Sequence, residues 1–544
     1  MVRVPCIFVT AEAEPAFRGR RSRSTTPSPR LLIAVLAVAG TVASFMHTLV
    51  VPIIPALPRL FHAPAADTSW IITITLLAGA VATPVAGRLG DMYGKRRVML
   101  GSVWLLVLGS LVCALSTSLA PMVVGRGLQG LSTGLIPLGI SLLRDELPAE
   151  RLGSALGLMS SSLGIGGALG VPVAAVIAQT FTWHVLFWMA TGLSLAILLL
   201  LWRVVPESPV REAAPGRFDV VGAIGLAAGV SCLLLAISKG GTWGWVSPAT
   251  VGTALAAVAV LLLLWGPWEL RHPSPVVDLR VSARPRVLMT NLTSVVVGFA
   301  MYGMGLAVPQ ILQLPTATGY GLGQSMIAAG VCFAPFGVVM MLASPFTARV
   351  SARWGAGVTL VLGSGIIGVG YLISAWFMHS IWQTVLIGLI SGVGVALAYA
   401  SMPTLIMAAV PDTETAAANG LNTLMRSLGT SSSAAVVGAL LASMTVAFDG
   451  GQVPSAAGFQ AVFLLGAGAA ALAVLLGLCI PGPGPGPEAR RAPAAVVAAA
   501  VGSDARQDVV LGAVTPAPRR PATPATTIAT PVAAKPGDAG AWLA

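Results

Sequence analysis

Charge is scarce in this sequence. Asp, Glu, Lys and Arg together make up 9% of its 544 residues, against about 25% in an average soluble domain. A soluble chain of this length could not cover its surface with so few charges. Most cytosolic enzymes are thereby excluded, as are disordered classes except at the chain ends. Acids are the scarcer sign, nineteen against 31 bases, and none falls at the centre of an apolar run. Of the five cysteines, Cys113, Cys232, Cys332 and Cys479 lie inside apolar runs and none forms a Cys-x-x-Cys pair. They read as small apolar filler, not as a disulfide frame or metal site. The histidines His62, His184, His272 and His379 are scattered in loops, so no metal cluster is expected. No Gly-x-x-x-x-Gly-Lys-Ser/Thr loop is present, and ATP-driven pumping has no support. The segment through Arg30 holds charges and prolines without an apolar core and is not expected to act as a secretory signal.

What is abundant is apolar length. Hydrophobic residues make up 56% of the chain, and runs of about 20, enough to cross a bilayer as helix, recur from Leu31 onward. Fourteen are read: 31–51, 69–87, 98–116, 120–142, 152–178, 184–203 and 219–238, then 249–268, 287–308, 324–347, 357–377, 381–408, 415–445 and 459–480. The Pro/Ala/Gly-rich stretch from Pro481 to Ala544 is expected to be a disordered tail. With the N-terminus placed in the cytoplasm, fifteen loop arginines and lysines fall on the inner side and two, Arg59 and Lys239, on the outer. That asymmetry supports an even span count with both termini cytoplasmic. It also accounts for the net charge of +12 without nucleic acid. Arg outnumbers Lys and alanine is abundant, which suggests a GC-rich bacterial genome and a plasma-membrane location.

After the second run comes Gly87-Arg88-Leu89-Gly90-Asp91-Met92-Tyr93-Gly94-Lys95-Arg96-Arg97. The glycines permit a tight turn and close helix approach. Asp91 can sit at a neighbouring helix N-terminus, where negative charge is stabilising by about 0.3–1 kcal/mol or more. The basic cluster suits an anionic membrane leaflet. A plain inner loop would explain the bases but not the glycine–aspartate–glycine spacing. Laid 261 residues downstream, Pro84–Gly94 aligns with Pro345–Gly355, sharing the proline, the arginine, the aromatic and the last glycine, with Ala352 in place of the aspartate. Such an internal repeat is expected of a transporter built from matched halves.

The Gly87–Arg97 loop resembles the signature loop of the major facilitator superfamily, and it stands after the second span as it does there. Arg126-Gly127-Leu128-Gln129-Gly130 resembles that family's Arg-x-x-Gln-Gly motif. Gly166, Gly170 and Pro172 resemble the glycine/proline motif of its antiporters, with Val171 inserted between glycine and proline. Trp183-His184 and Phe218-Asp219-Val220-Val221-Gly222 are similar to the fourteen-span drug:proton antiporter branch. The resemblance implies an all-α membrane protein of the major facilitator fold: a tail (1–30), a six-helix half (31–203), two inserted helices (204–286), a second half (287–480) and a tail (481–544). It further implies a proton-coupled exporter of drugs or other small molecules, with a proton gradient and no bound cofactor, no catalytic residue and no metal. The expected partners are a small-molecule substrate and the lipid bilayer, with no nucleic acid and the chain acting as a monomer. An uncoupled facilitator or metabolite exporter is the alternative, and a non-transporting sensor a more distant one.

Gly87, Asp91, Gly94, Lys95 and Arg96 are the expected conformational loop. Charged residues inside spans are functional candidates by default, which singles out Arg126, with Gln129 one turn away. Asn419, Asn422 and Arg426 are spaced by three and four, so they share a helix face; that face lines a transport path or makes interhelical hydrogen bonds. Met46 stands where the branch usually has an aspartate. His47 beside it is the first span's titratable group near neutral pH, a proton carrier or a packing histidine.

Overall fold

The computed structural model describes residues 28–207, 217–448 and 451–481; both expected tails lie largely outside them. Ser28 opens the first helix, its hydroxyl accepting the Leu31 amide at 3.3 Å, and Pro29 takes the first helical position, where its missing N–H is not needed. This helix, α1, runs Pro29–Thr48 and passes into a tight 3-10 turn at the proline-rich Val51–Ala56. The rest of the first half comprises α2 (Trp70–Tyr93), α3 (Lys95–Leu115), α4 (Leu119–Leu131), α5 (Leu135–Glu146), α6 (Ala149–Thr180) and α7 (His184–Val204). Two further rods follow. One is α8 (Val220–Trp243). The other is α9 (Pro248–Val258), continued through a π-helical stretch, Ala259–Trp265, into α10 (Gly266–Arg271). The second half holds α11 (Pro285–Gln313), α12 (Met326–Leu342), α13 (Ser344–Phe377), α14 (Ile381–Met407), α15 (Thr415–Ser443) and α16 (Ala456–Leu478). A small hairpin, β1 (Thr445–Phe448) with β2 (Gly451–Pro454), joins the last two helices, antiparallel with Thr445 opposite Pro454.

Among the described residues twelve helices are long and apolar enough to cross a membrane, against the fourteen expected. The difference has two causes. Helix α12 is shorter than the rest. The stretch expected at 120–142 is broken into α4 and α5 by the 3-10 turn Ser132–Gly134. Lys239 also departs from expectation. It lies inside α8, not in an outer loop, because its long stem lets the ammonium reach Ser69 Oγ at 2.5 Å over the Trp70 ring while the helix continues. Arg349 and Arg353, expected in a loop, are helical.

The internal repeat is visible in the backbone. Gly94 (φ 99°) ends α2, and Gly355 (φ 85°), 261 residues on, kinks α13. Both conformations are strained for any residue with a Cβ. Each copy of the motif therefore ends on the glycine that lets the next helix set off in a new direction.

Each half has its own apolar core. Leu36, Leu106, Leu138 and Phe187 are at the heart of the first, and Met304, Tyr371, Tyr399 and Phe463 of the second. A third cluster packs Leu226, Val230 and Leu234 of α8 against Ala80 of α2 and Leu421 and Leu424 of α15, so the inserted pair touches both halves. Outward-facing Leu262, Leu263 and Leu264 are about 70% exposed, an arrangement stable in lipid and not in water.

Asp219 ties the inserted rods together. Its carboxylate accepts the Gly222 amide at 2.8 Å, capping α8, and the Trp268 indole N–H of α10 at 2.9 Å. Asp219→Ala is expected to lower the thermal unfolding midpoint. The lost cap costs about 0.5–2 kcal/mol, and the unpaired indole about 1–3 kcal/mol. An unchanged midpoint would count against this anchoring role.

Candidate functional site

Two sets of polar side chains lie where the halves meet or deep inside them. The first is a latch at one end of the bundle. Asp91, in the last turn of α2, accepts the backbone amides of Ala416 (3.2 Å) and Ala417 (2.9 Å) at the start of α15. Those amides have no partner within their own helix, and the helix dipole places partial positive charge there. Lys95, just past the Gly94 break, forms an ion pair with Asp145 at 2.5 Å and reaches Thr415 Oγ1 at 3.5 Å. The Ser141 and Thr415 hydroxyls share a 2.5 Å bond across the same seam. Gly87 makes the approach feasible, since a Cβ there would lie 2.8 Å from the Ala416 carbonyl carbon and 3.0 Å from Ala417 Cα. Arg96 turns away from the seam and donates to the Trp202 carbonyl at 2.6 Å.

The equivalent seam between α6 and α13 is built differently, with Arg144 lining the cleft there beside Ser154, Thr347 and Ala352. Ala352 replaces the aspartate, Arg349 is exposed, and Ser344 donates to the Ser154 carbonyl at 3.4 Å. The carboxylate latch is thus one-sided: the first copy of the repeat has Asp91 on the facing amides, and the second has Ala352 at that position. Close by, Arg88, Asp278 and Glu414 line a cleft under the segment after α10. Burial, and next Asp278, push the Glu414 carboxyl up from its ordinary value, against Arg88 and Arg284.

The second set is interior. Arg126 of α4 is 2% exposed. One of its terminal nitrogens donates to Gln129 Oε1 at 2.6 Å and to the Met46 carbonyl at 3.1 Å. Gln129 passes the network on to Ser110 Oγ at 2.9 Å, so Arg126 and Gln129 together join three helices. Met46, the position without the expected acid, supplies its backbone carbonyl instead. His47 Nε2 lies 3.4 Å from Thr133 Oγ1 in the turn between α4 and α5. In the second half Asn422 donates to Asn291 Oδ1 (2.9 Å) and Ser294 Oγ (2.7 Å) of α11. Asn419 donates to the Thr415 carbonyl of its own helix. The Arg426 guanidinium stacks over the Tyr399 ring, 4.6 Å from its centroid. The three residues share one helix but have different partners.

Helix α6 stands between the halves. Gly166 and Gly170 let it close on α1, where a Cβ on Gly166 would lie 2.6 Å from Ser44 Cβ and 2.7 Å from the Phe45 nitrogen. Pro172 meets α12, 3.0 Å from a Cβ placed on Gly330. One helix therefore carries glycine contacts with its own half and packs on the other.

Two groups escape a linear reading. Tyr399 is one tyrosine in an apolar run, and nothing local marks it as the partner of Arg426. Asp219 and Glu269 stand 50 residues apart at opposite ends of the inserted pair. In the structure both are nearly fully buried and converge on Gly222, where a Cβ would lie 2.8 Å from Asp219 Cγ and 2.9 Å from Glu269 Oε1.

The family profile described as Major Facilitator Superfamily matches residues 36–434, and again 291–524. The chain belongs to that superfamily. Members are membrane transporters of small molecules, which matches the many apolar helices found here. Among similar superfamily proteins is multidrug resistance protein Stp of Mycobacterium tuberculosis (strain CDC 1551 / Oshkosh), 29% identical over 418 residues, 76% of each chain. Another is the tetracenomycin C resistance and export protein of Streptomyces glaucescens, 30% identical over 424 residues, 77% of this chain and 76% of that one. A solved superfamily structure, the proton:xylose symporter XylE, matches with a TM-score of 0.58 at 15% identity, covering 83% of this chain and 96% of that one. That likeness concerns the fold.

Proposed function

We propose that this superfamily member exports drugs or other small molecules from the cell by alternating access, coupled to an inward flow of protons. The observation that carries the reading is the Asp91 latch. Two amides of one half are held by a carboxylate of the other, and a path at that end opens only if those bonds break. The latch end also carries Lys95, Arg96 and Arg97, and the positive-inside rule favours the cytoplasm for that side. The conformation described is then one closed toward the cytoplasm, in a multi-pass plasma-membrane protein. Similarity to resistance and export proteins supports outward transport.

Coupling to protons is testable in inside-out vesicles loaded by the respiratory chain. Uptake of an exported dye is expected to fall at least tenfold when a protonophore collapses the pH gradient. Uptake that equilibrates at the same rate without the gradient would leave an uncoupled facilitator. That second reading is favoured by one specific observation: among the described residues Arg126 bonds to an amide oxygen and a backbone carbonyl and to no exchangeable acid.

A further inference from the structure

Arg426 is a buried cation without a counter-ion among the described residues. It is 8% exposed, Tyr399 2% exposed. The only neighbour that its guanidinium engages among the described residues is the face of that tyrosine. Among the described residues no hydrogen-bond acceptor meets its nitrogens. The helix residues before Arg426 include no acid; the nearest toward the N-terminus is Glu414, just before the helix starts, twelve residues or about 18 Å of helical rise away. Around it, α11 presents Gly298, whose Cβ would lie 3.1 Å from Arg426 Cγ. Asn422, one turn before it, is committed to Asn291 and Ser294.

An uncompensated charge in such surroundings is costly, and a site retains one where something else brings the opposite charge. Arg126, deep in the other half, is equally without a carboxylate, its bonds going to an amide oxygen and a backbone carbonyl. The position of the Arg426–Tyr399 pair is informative as well. Ser160 of α6, a first-half helix, donates to the Tyr399 carbonyl at 3.4 Å, so the pair borders the seam between the halves. A solute passing that seam at this level meets a guanidinium whose planar fork is unoccupied, and no carboxylate among the described residues bonds to it; the seam's acid, Asp91, is committed to the Ala416 and Ala417 amides. A cationic solute would be repelled there. A carboxylate, sulfonate or phosphate would be matched to the fork in geometry and sign.

We infer that Arg426, backed by Tyr399, is an anion-binding subsite and that the transported solutes carry an acidic group. This rests on the transporter reading above and narrows its substrate class.

The test uses the full chain in nanodiscs of neutral phosphatidylcholine, so that no anionic lipid is present. Thermal unfolding is followed with a panel of aromatic carboxylates, sulfonates and phosphate monoesters, a matched panel of organic cations, and sodium chloride at equal ionic strength. At least one organic acid is expected to raise the midpoint of the wild type and bind with a measurable Kd. Arg426→Gln should weaken that binding at least tenfold. Arg426→Lys, which keeps the charge and loses the fork, should fall between. Both variants are first checked for an unliganded transition like the wild type's; if Arg426→Gln fails to fold, the comparison rests on Arg426→Lys, with at least a threefold loss expected. Anionic lipid vesicles added in place of the acids separate a headgroup site from a substrate site, and stabilisation by lipid alone overturns the inference. So does stabilisation by cations only, by chloride as well as by the organic acids, or by acids to the same extent in all variants, and so does the absence of any response to acids. If cations bind and are exported, the transporter reading survives without the anion subsite. If labelled acids bind but never cross in vesicles, the subsite survives and the transporter reading fails.

Discussion

Asp91→Ala is expected to lower transport at least tenfold in vesicles that contain wild-type amounts of protein. The carboxylate satisfies two amides that α15 cannot satisfy for itself, and does so at the positive end of that helix. A charge at a helix N-terminus contributes about 0.3–1 kcal/mol, and up to about 2 kcal/mol when partly buried. Losing about 2 kcal/mol shifts the ratio of latched to unlatched molecules about 30-fold. Asp91→Asn keeps an acceptor oxygen but not the charge, so it should fall between alanine and wild type. The structural consequence is separately measurable. A cysteine at Ala417, at the seam, should react faster with a membrane-impermeant maleimide in Asp91→Ala than in the Asp91 background. Wild-type transport together with unchanged labelling would show that the seam is held by packing and by the Lys95 and Ser141 contacts alone.

The second large effect is expected at Arg126. Arg126→Ala removes the bond that joins α4 to α1 at Met46 and the one that holds Gln129, the residue that reaches Ser110 of α3. Hydrogen bonds to a charged group contribute about 1.5–3 kcal/mol each, and here the groups left behind are buried. Transport is expected to drop about 100-fold, with a lower unfolding midpoint. Arg126→Lys should not restore it, because the lysine stem ends one bond short of the terminal nitrogen that meets both Met46 and Gln129. Gln129→Ala should be milder, since the bond to Met46 remains. If Arg126→Lys transports like the wild type, the network's geometry is not what matters and the charge alone suffices.

Much of this architecture can be read from spacing. The Gly87–Gly94 loop, its echo at Gly355 and the long apolar runs are local features, and their physics is local. A glycine at positive φ, or about 20 apolar residues in a row, constrains the chain wherever it occurs. The breaks are harder to foresee. The Ser132–Gly134 turn and the extension of α8 past Lys239 depend on what the neighbouring helices offer: the His47 contact to Thr133 in one case, Ser69 and Trp70 in the other. The site was legible as a set of residue types. Arg126 and Arg426 are conspicuous in apolar runs, and Asp91 is conspicuous between glycines.

The partners of these residues were not legible. That Arg126 would take the Met46 carbonyl, that Arg426 would lie on Tyr399 with no acid beside it, and that Asp219 and Glu269 would converge on Gly222 depend on helices from distant parts of the chain. Sequence periodicity states which face of a rod is polar but not which rod it will meet. In a bilayer, where apolar burial no longer drives helices together, the choice of neighbour rests on small-residue contacts and a handful of hydrogen bonds. Membrane placement, two related halves and a charged loop followed from amino-acid order. Which charges remain without a counter-charge was settled by packing alone.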